Sequence, residues 1–90
     1  MAKWFVYLLE CSDRSIYTGI TNDLKARIKT HNSGKGAKYT RGRVPVKLKA
    51  FYPHASRSAA SKVEYALKKL PAAKKKEFIK RFPQKQLLKL

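Results

Sequence analysis

Acidic residues are scarce in this chain of 90 residues, which has five Asp and Glu against 22 Lys and Arg and a formal net charge of +17. Repulsion among so many like charges opposes a compact fold unless a polyanion shares the space. Nucleic acid is therefore the first partner that the composition suggests. A membrane would attract the same charge, but no apolar run approaches the roughly 18 residues of a spanning helix, so we expect no membrane partner.

Cysteine occurs once, as Cys11. A single cysteine excludes an internal disulfide and a metal site made of clustered cysteines, and we expect no disulfide-linked partner. The first residues, Met-Ala-Lys-Trp, lack the charged and then apolar pattern of a signal peptide, so we expect a cytoplasmic protein. The hydrophobic content of 43% supports one folded domain over residues 1–90 with a single modest core.

Apolar, aromatic and β-branched residues predict two strands, 4–9 and 15–20, joined by a short polar turn. A turn of three residues places Tyr7 opposite Gly19 and sets Tyr7 and Tyr17 on the same face of the hairpin. A turn of even length would set the two tyrosines on opposite faces. Gly19 would leave room beside Tyr7, where a ligand or another backbone could approach.

Beyond the hairpin, periodicity and breaker residues predict a third strand and three helices. The first helix has Thr21 or Asn22 as its N-cap, with Asp23 in its first turn. The third strand alternates apolar residues with Lys, which is typical of an edge strand, and Pro53 ends it. The predicted bounds are about 22–33, 56–70 and 72–81 for the helices and 46–52 for the strand.

Three polar residues, Arg27, His31 and Glu64, lie on or beside helix stripes that should face the core. Each has an ordinary alternative. The Arg27 head could reach water, and His31 could cap a helix C-terminus electrostatically. Glu64 could form a capping box with Ser61, although the helix would then start late and leave apolar residues outside it. Together the three inward polar groups favour a functional site.

The stretch 33–44 holds three glycines and predicts a flexible cationic loop. It could clamp phosphates, with its tyrosine stacking on a base, or it could be an ordinary solvated loop. Its candidate nucleic-acid-binding residues are Lys35, Lys38, Tyr39, Arg41 and Arg43. We expect the lysines at 68–69 and 74–76 to point outward and to add only general attraction. The last helix should direct three apolar residues at the core, Phe78, Ile79 and Phe82.

Two tyrosine motifs ten residues apart, Val6-Tyr7-Leu8 and Tyr17-Thr18-Gly19, precede Arg27 and a lone helical Glu64. Jointly these features resemble the GIY-YIG nuclease domain, in particular its small stand-alone bacterial (UPF0213-like) members, over roughly residues 3–80. The resemblance implies an α+β fold, an α/β sandwich with a small three-stranded antiparallel sheet flanked by helices in the order β-β-α-β-α-α. That order agrees with the elements predicted above.

The resemblance also implies metal-dependent hydrolysis of a phosphodiester bond. Glu64 would be the protein ligand of Mg²⁺ (or Mn²⁺), Arg27 would stabilise the phosphate charge, and His31 would lie next to the reaction centre. Tyr7 and Tyr17 would lie around the attacking water. A single carboxylate is sufficient because Mg²⁺ keeps most of its waters, and a preorganised guanidinium stabilises developing negative charge.

The residue that takes the proton is Tyr7, Tyr17 or His31, and we favour a tyrosine, with His31 positioning it or relaying the proton. A tyrosine is a poor base at neutral pH unless nearby cations favour its phenolate. Ile20 stands where some members have a lysine, which removes one possible helper.

These features predict a Mg²⁺-dependent endonuclease that acts on nucleic acid, DNA rather than RNA, in repair or maintenance. The alternative is a non-catalytic DNA- or RNA-binding module with a vestigial nuclease pocket. The sequence favours the enzyme because every catalytic position holds a competent residue.

Overall fold

The computed structural model describes residues 3–81, in which a three-stranded antiparallel sheet lies between helices. The elements are β1 (Trp4–Glu10), β2 (Ile16–Thr21), α1 (Leu24–Asn32), α2 (Lys38–Arg41), β3 (Lys47–His54), α3 (Arg57–Lys68) and α4 (Ala72–Arg81). The order of the strands in the sheet is β2-β1-β3. The expected α+β fold is confirmed, with α2 as one added helical turn. None of the helices within residues 3–81 has the length and apolar character of a membrane span.

The β1–β2 turn has the odd length that the tyrosine pocket requires. The backbone N–H of Cys11 donates to the Ser15 carbonyl at 2.8 Å, and Tyr7 pairs with Gly19 as predicted. Arg14 takes a positive φ of 72°, which lets a three-residue connection close. Because side chains alternate along a strand, Tyr7 and Tyr17 share one face of the sheet.

Each face of the sheet carries its own half of the core. On one face Val6 and Leu8 pack with Ala60 and Leu67 of α3, and Phe78 and Ile79 of α4 pack against the same cluster. On the other face Tyr7 and Leu9 pack with Leu24 of α1. Helices on both faces explain why β1 is apolar at every position from Trp4 to Leu9. Phe82, the third expected core residue of α4, lies outside the described residues.

The helix caps differ in part from the prediction. Asp23 is the N-cap of α1, and its side chain accepts from the Ala26 N–H at 3.1 Å, so the expected cap at Thr21 or Asn22 is wrong by one or two residues. A carboxylate accepts well from a free helix N–H, and it also meets the positive end of the helix dipole. Ser56 caps α3, which leaves Ser61 inside the helix and excludes the Ser61–Glu64 capping box.

The prediction that Pro53 ends the third strand is wrong. Pro53 pairs with Phe5 inside β3, which ends one residue later at His54. The strand is at the edge of the sheet, as the alternating lysines predicted. An edge strand tolerates proline because one row of its N–H groups has no partner strand.

The loop between α1 and β3, which the sequence predicts to be flexible, packs against the rest of the fold. It contains α2, and both Gly36 and Thr40 within it are buried. Arg43 joins the loop to the hairpin turn through an ion pair of 2.8 Å with Asp13, and its backbone carbonyl accepts from the Ser12 N–H. Local sequence patterns do not reveal this packing, because the anchoring contacts join segments far apart in the chain.

Candidate active site

Three of the predicted site residues form one hydrogen-bonded chain on the α1 face of the sheet. The Tyr7 hydroxyl is 3.0 Å from Nε2 of His31, and Nε of Arg27 donates to the same hydroxyl oxygen at 3.4 Å. Arg27 and His31 stand on successive turns of α1, so one helix face presents both to the strand. Tyr7 and His31 are fully buried, whereas Arg27 is partly exposed.

Thr40 fixes the direction of the hydrogen bonds at His31. Its hydroxyl has a single proton, which it donates to the Ala37 carbonyl at 3.0 Å. Its oxygen, 2.7 Å from Nδ1 of His31, therefore accepts from an Nδ1–H. Nε2 is then the ring nitrogen that accepts, and Tyr7 donates to it. This role cannot be predicted from the sequence, because Thr40 belongs to no helical or strand pattern that marks it.

Two glycines let these rings pack closely. A Cβ on Gly19 would lie 2.5 Å from the Tyr7 hydroxyl oxygen, and one on Gly36 would collide with the His31 ring. The room that Gly19 was expected to leave for a ligand or backbone is therefore occupied by the phenol of Tyr7 itself. Both positions need a residue without a side chain because the aromatic rings lie against the backbone.

Tyr17 completes the aromatic cluster and is its more accessible tyrosine. Its ring centroid lies 5.1 Å from that of His31 and 6.1 Å from that of Tyr7. On its other side it neighbours Tyr39, with centroids 6.0 Å apart. Tyr17 is half-buried, so a molecule in solvent reaches it before the buried Tyr7.

The protein environment sets the protonation states of the buried pair. Burial raises the pKa of Tyr7 to about 12, against the opposing effect of its hydrogen bond to Arg27. Burial also lowers the pKa of His31, and the positive charge of Arg27 lowers it further. At neutral pH the pair is therefore a neutral imidazole that accepts from an intact phenol.

The lowered pKa of His31 predicts that the folded protein loses stability as the pH falls. Below the unfolded value of about 6.5 the unfolded chain binds a proton that the folded chain resists, so the free energy of unfolding falls with falling pH. The free energy of unfolding falls by at most about 1.4 kcal/mol per pH unit for one group. The fall stops below the lower pKa that His31 has in the folded protein. Urea unfolding between pH 7 and 5 measures it.

The His31→Gln variant provides the comparison for that experiment. It lacks the titrating ring, so its free energy of unfolding should change less over the same pH range. A wild-type curve parallel to that of the variant would contradict the assignment of a buried neutral imidazole.

Glu64 lies on α3, which packs on the opposite face of the sheet from α1. Its side chain is 20% exposed, and in residues 3–81 its carboxylate pairs with Lys68 alone, at 3.4 Å. Glu64 thus makes no hydrogen bond or ion pair with Tyr7, Arg27 or His31 in the described part of the chain. Lys68 lies one turn further along α3 and borders a groove that Tyr17 also lines. Glu64 therefore stands near that groove.

The predicted nucleic-acid-binding residues of the loop divide into two groups. Lys35 and Lys38 are exposed and make no ion pair among residues 3–81. The arginines instead hold the loop together. Nε of Arg41 donates to the Gly36 carbonyl at 3.3 Å, and the Arg43 guanidinium lies 4.2 Å from the centroid of the Tyr39 ring.

The lysines of α3 and α4 do not all point outward as expected. Lys75 is half-buried, and it borders a groove of about 320 Å³ together with Lys68 and Tyr17. Lys69 does face outward, over the exposed Tyr65 ring, and Lys74 pairs with Glu77 at the surface. Periodicity within one helix shows which face is apolar, but it does not reveal which of the lysines meets another element.

Most of the chain is similar to a known catalytic domain. Residues 3–77 match the GIY-YIG catalytic domain. The chain belongs to the GIY-YIG family. A UPF0213 protein of Xanthomonas axonopodis pv. citri is 46% identical over 84 residues, which cover 93% of this chain and 82% of the relative. A UPF0213 protein of Clostridium perfringens is 52% identical over 75 residues, covering 83% and 81%.

Two solved structures share the GIY-YIG fold of this chain. The solution NMR structure of a UPF0213 protein of Bacillus halodurans has a TM-score of 0.59 and 47% identity over 90% of this chain and 86% of that one. The solution NMR structure of an E. faecalis protein has a TM-score of 0.61 and 37% identity, covering 100% and 96%. Membership of the GIY-YIG family makes the chain a member of a nuclease superfamily that binds nucleic acid and generally depends on a divalent metal.

Proposed function

We propose that this chain, as one domain over residues 1–90, is a Mg²⁺- or Mn²⁺-dependent endonuclease that cuts DNA in repair or maintenance. The observation that carries the proposal is the convergence of Arg27, Tyr7 and His31 in one hydrogen-bonded chain. A partly exposed guanidinium held by a buried phenol is a preorganised donor for a phosphate oxygen. The net charge of +17 attracts the polyanionic substrate.

The proton route follows from the burial of the two tyrosines. The water oxygen forms a bond to phosphorus while the bond to the leaving sugar oxygen breaks, and solvent protonates that leaving oxygen. The water meets Tyr17, because Tyr7 is fully buried. Its proton passes to Tyr17, whose side chain interacts with that of Tyr7. The Tyr17 proton then moves to Tyr7, and Tyr7 gives its proton to Nε2 of His31. The negative phosphate at Arg27 would offset the positive charge that lowers the pKa of His31, so the imidazole can accept this proton. Thr40 keeps Nε2 free to accept it.

Glu64 fits a divalent cation that arrives with the substrate. Within residues 3–81 no group of three His, Cys, Asp or Glu side chains could hold a metal alone. Mg²⁺ is commonly held by one or two carboxylates together with substrate phosphates and water, which one half-buried carboxylate satisfies. The Lys68 side chain that now pairs with Glu64 is 51% exposed, so it can move away at small cost. A bound cation would offset charge on the phosphate oxygens and acidify water.

We place the proposed activity in the cytoplasm. The Cys11 thiol is buried and makes no disulfide, which suits a reducing compartment.

The test is a panel of nicked, branched, single-stranded and duplex DNA with matched RNA, incubated with Mg²⁺, Mn²⁺ or EDTA. We expect cutting of DNA with either metal and none with EDTA. Glu64→Gln keeps an oxygen ligand but removes the charge, so the Mg²⁺ concentration for half-maximal cutting should rise at least about tenfold. Glu77→Gln, which removes a surface carboxylate from α4, is the matched control.

Cutting that persists in EDTA, or an equal Mg²⁺ requirement in the Glu64→Gln and Glu77→Gln variants, would refute the metal site. Cutting of RNA alone would refute DNA as the substrate. Salt-dependent binding with no cutting of any substrate would instead support the non-catalytic module.

A further inference from the structure

A groove runs along the outer edge of β2 and joins the two faces of the sheet. It has a volume of about 320 Å³, at the small end of the roughly 300–1,000 Å³ range of ligand sites. Tyr39 of α2 borders it on one side, and α3 and α4 border it on the other. Its lining residues are Ile16, Tyr17, Thr18, Tyr39, Lys68 and Lys75.

Two lysines from different helices line this groove, and they lie close enough for their charges to interact. Lys75 is half-buried, and both that burial and the charge of Lys68 lower its pKa. Within residues 3–81 Lys75 makes no ion pair. Lys68, whose side chain is 51% exposed, pairs there only with Glu64, one helical turn earlier. Two like charges held close together repel, and an anion between them would relieve that repulsion.

The floor of the groove holds a polar atom without a partner. Thr18 is 2% exposed, and its hydroxyl oxygen makes no hydrogen bond to any described residue. A buried hydroxyl left unpaired is unfavourable, and such groups are few in folded proteins. A phosphate bound in the groove would offer this hydroxyl an acceptor.

We propose that the groove binds a backbone phosphate of the DNA strand, one that flanks the phosphate attacked at Arg27. This inference rests on the proposed function only for the identity of the polyanion. The position follows from Tyr17, which borders the groove and also packs on His31 in the hydrogen-bonded chain. The groove is thus a subsite that holds the substrate strand beside the reaction centre.

A nucleic-acid phosphate fits the groove better than a peptide strand added to the edge of β2. Added peptide would satisfy backbone groups of β2 but would leave the charges of Lys68 and Lys75 unneutralised. Phosphate oxygens match both the lysine ammonium groups and the hydroxyl, since backbone contacts to nucleic acid come from such side chains.

Binding of a fluorescein-labelled DNA oligonucleotide, measured in EDTA so that nothing is cut, tests this subsite. The double variant Lys68→Met and Lys75→Met should bind about tenfold more weakly in 0.1 M salt, with a log–log salt slope smaller in magnitude by about 0.9, the contribution of one phosphate contact. The matched control, Lys62→Met with Lys80→Met, removes the same charge from α3 and α4 outside the groove and should change binding far less.

Thr18→Val separates a phosphate contact from general attraction, because its two effects have opposite signs. Removing the unpaired hydroxyl should raise the melting temperature of the free protein, while DNA binding weakens by about two- to tenfold. Equal affinities for the groove variant and its control would overturn the proposal whether or not the protein cuts DNA. Weaker binding by the groove variant would sustain it even if cutting is never observed. Unchanged binding by Thr18→Val would overturn the hydroxyl contact.

Discussion

Replacing Tyr7 by phenylalanine is expected to slow DNA cutting by about 100–10,000-fold, the range that general acid–base groups contribute. The substitution keeps the buried ring but removes the hydroxyl that joins Arg27 to Nε2 of His31. Without this hydroxyl, no proton can pass from Tyr17 to the His31 imidazole. The Arg27 guanidinium also loses the acceptor that orients it. Single-turnover cleavage with saturating Mg²⁺ measures the loss.

Tyr52→Phe is the control for this experiment. Tyr52 is also buried, but it lies on the opposite face of the sheet and its hydroxyl has no partner among residues 3–81. Its removal should leave cutting unchanged and leave stability equal or higher. Tyr7→Phe should instead lose about 1–3 kcal/mol of unfolding free energy, since it leaves Nε2 of His31 buried without a hydrogen-bond donor. Equal cutting by the two variants would contradict the relay.

Replacing Arg27 by alanine is expected to reduce cutting by about 100–1,000-fold, as removal of one preorganised charge donor does in other enzymes. DNA binding should change little, because one charge of a net +17 is lost. The pKa of His31 should rise in this variant, since the Arg27 charge helps to lower it. Cleavage rates, binding in EDTA and the NMR titration of the His31 ring measure these three effects.

Lys29→Ala removes one positive charge from an exposed position of the same helix, two residues after Arg27. Its cutting rate should stay within about twofold of the wild type, as for a surface position away from the site. If Arg27→Ala cuts as fast as Lys29→Ala, the guanidinium does not stabilise the transition state. If both variants lose cutting and binding together, the loss is one of general attraction.

Much of the fold and the first half of the site follow from local sequence patterns. The alternation of side chains along the hairpin placed Tyr7 and Tyr17 on one face once the turn had an odd length. The helical spacing of Arg27 and His31 placed both on the face of α1 that meets the sheet. These rules act over a few residues, so neighbours in the chain suffice to apply them.

The contacts between distant segments are what only the tertiary structure decided. The hydroxyl of Thr40 sets the tautomer of His31 across nine positions of the chain, and Gly36 gives the ring its space. The helix that carries Glu64, α3, packs on the opposite face of the sheet from Arg27, and Lys75 joins Tyr17 at the groove. Local periodicity states which face of an element is buried, but not which residue of another element lies opposite, because that depends on the packing of whole helices on the sheet.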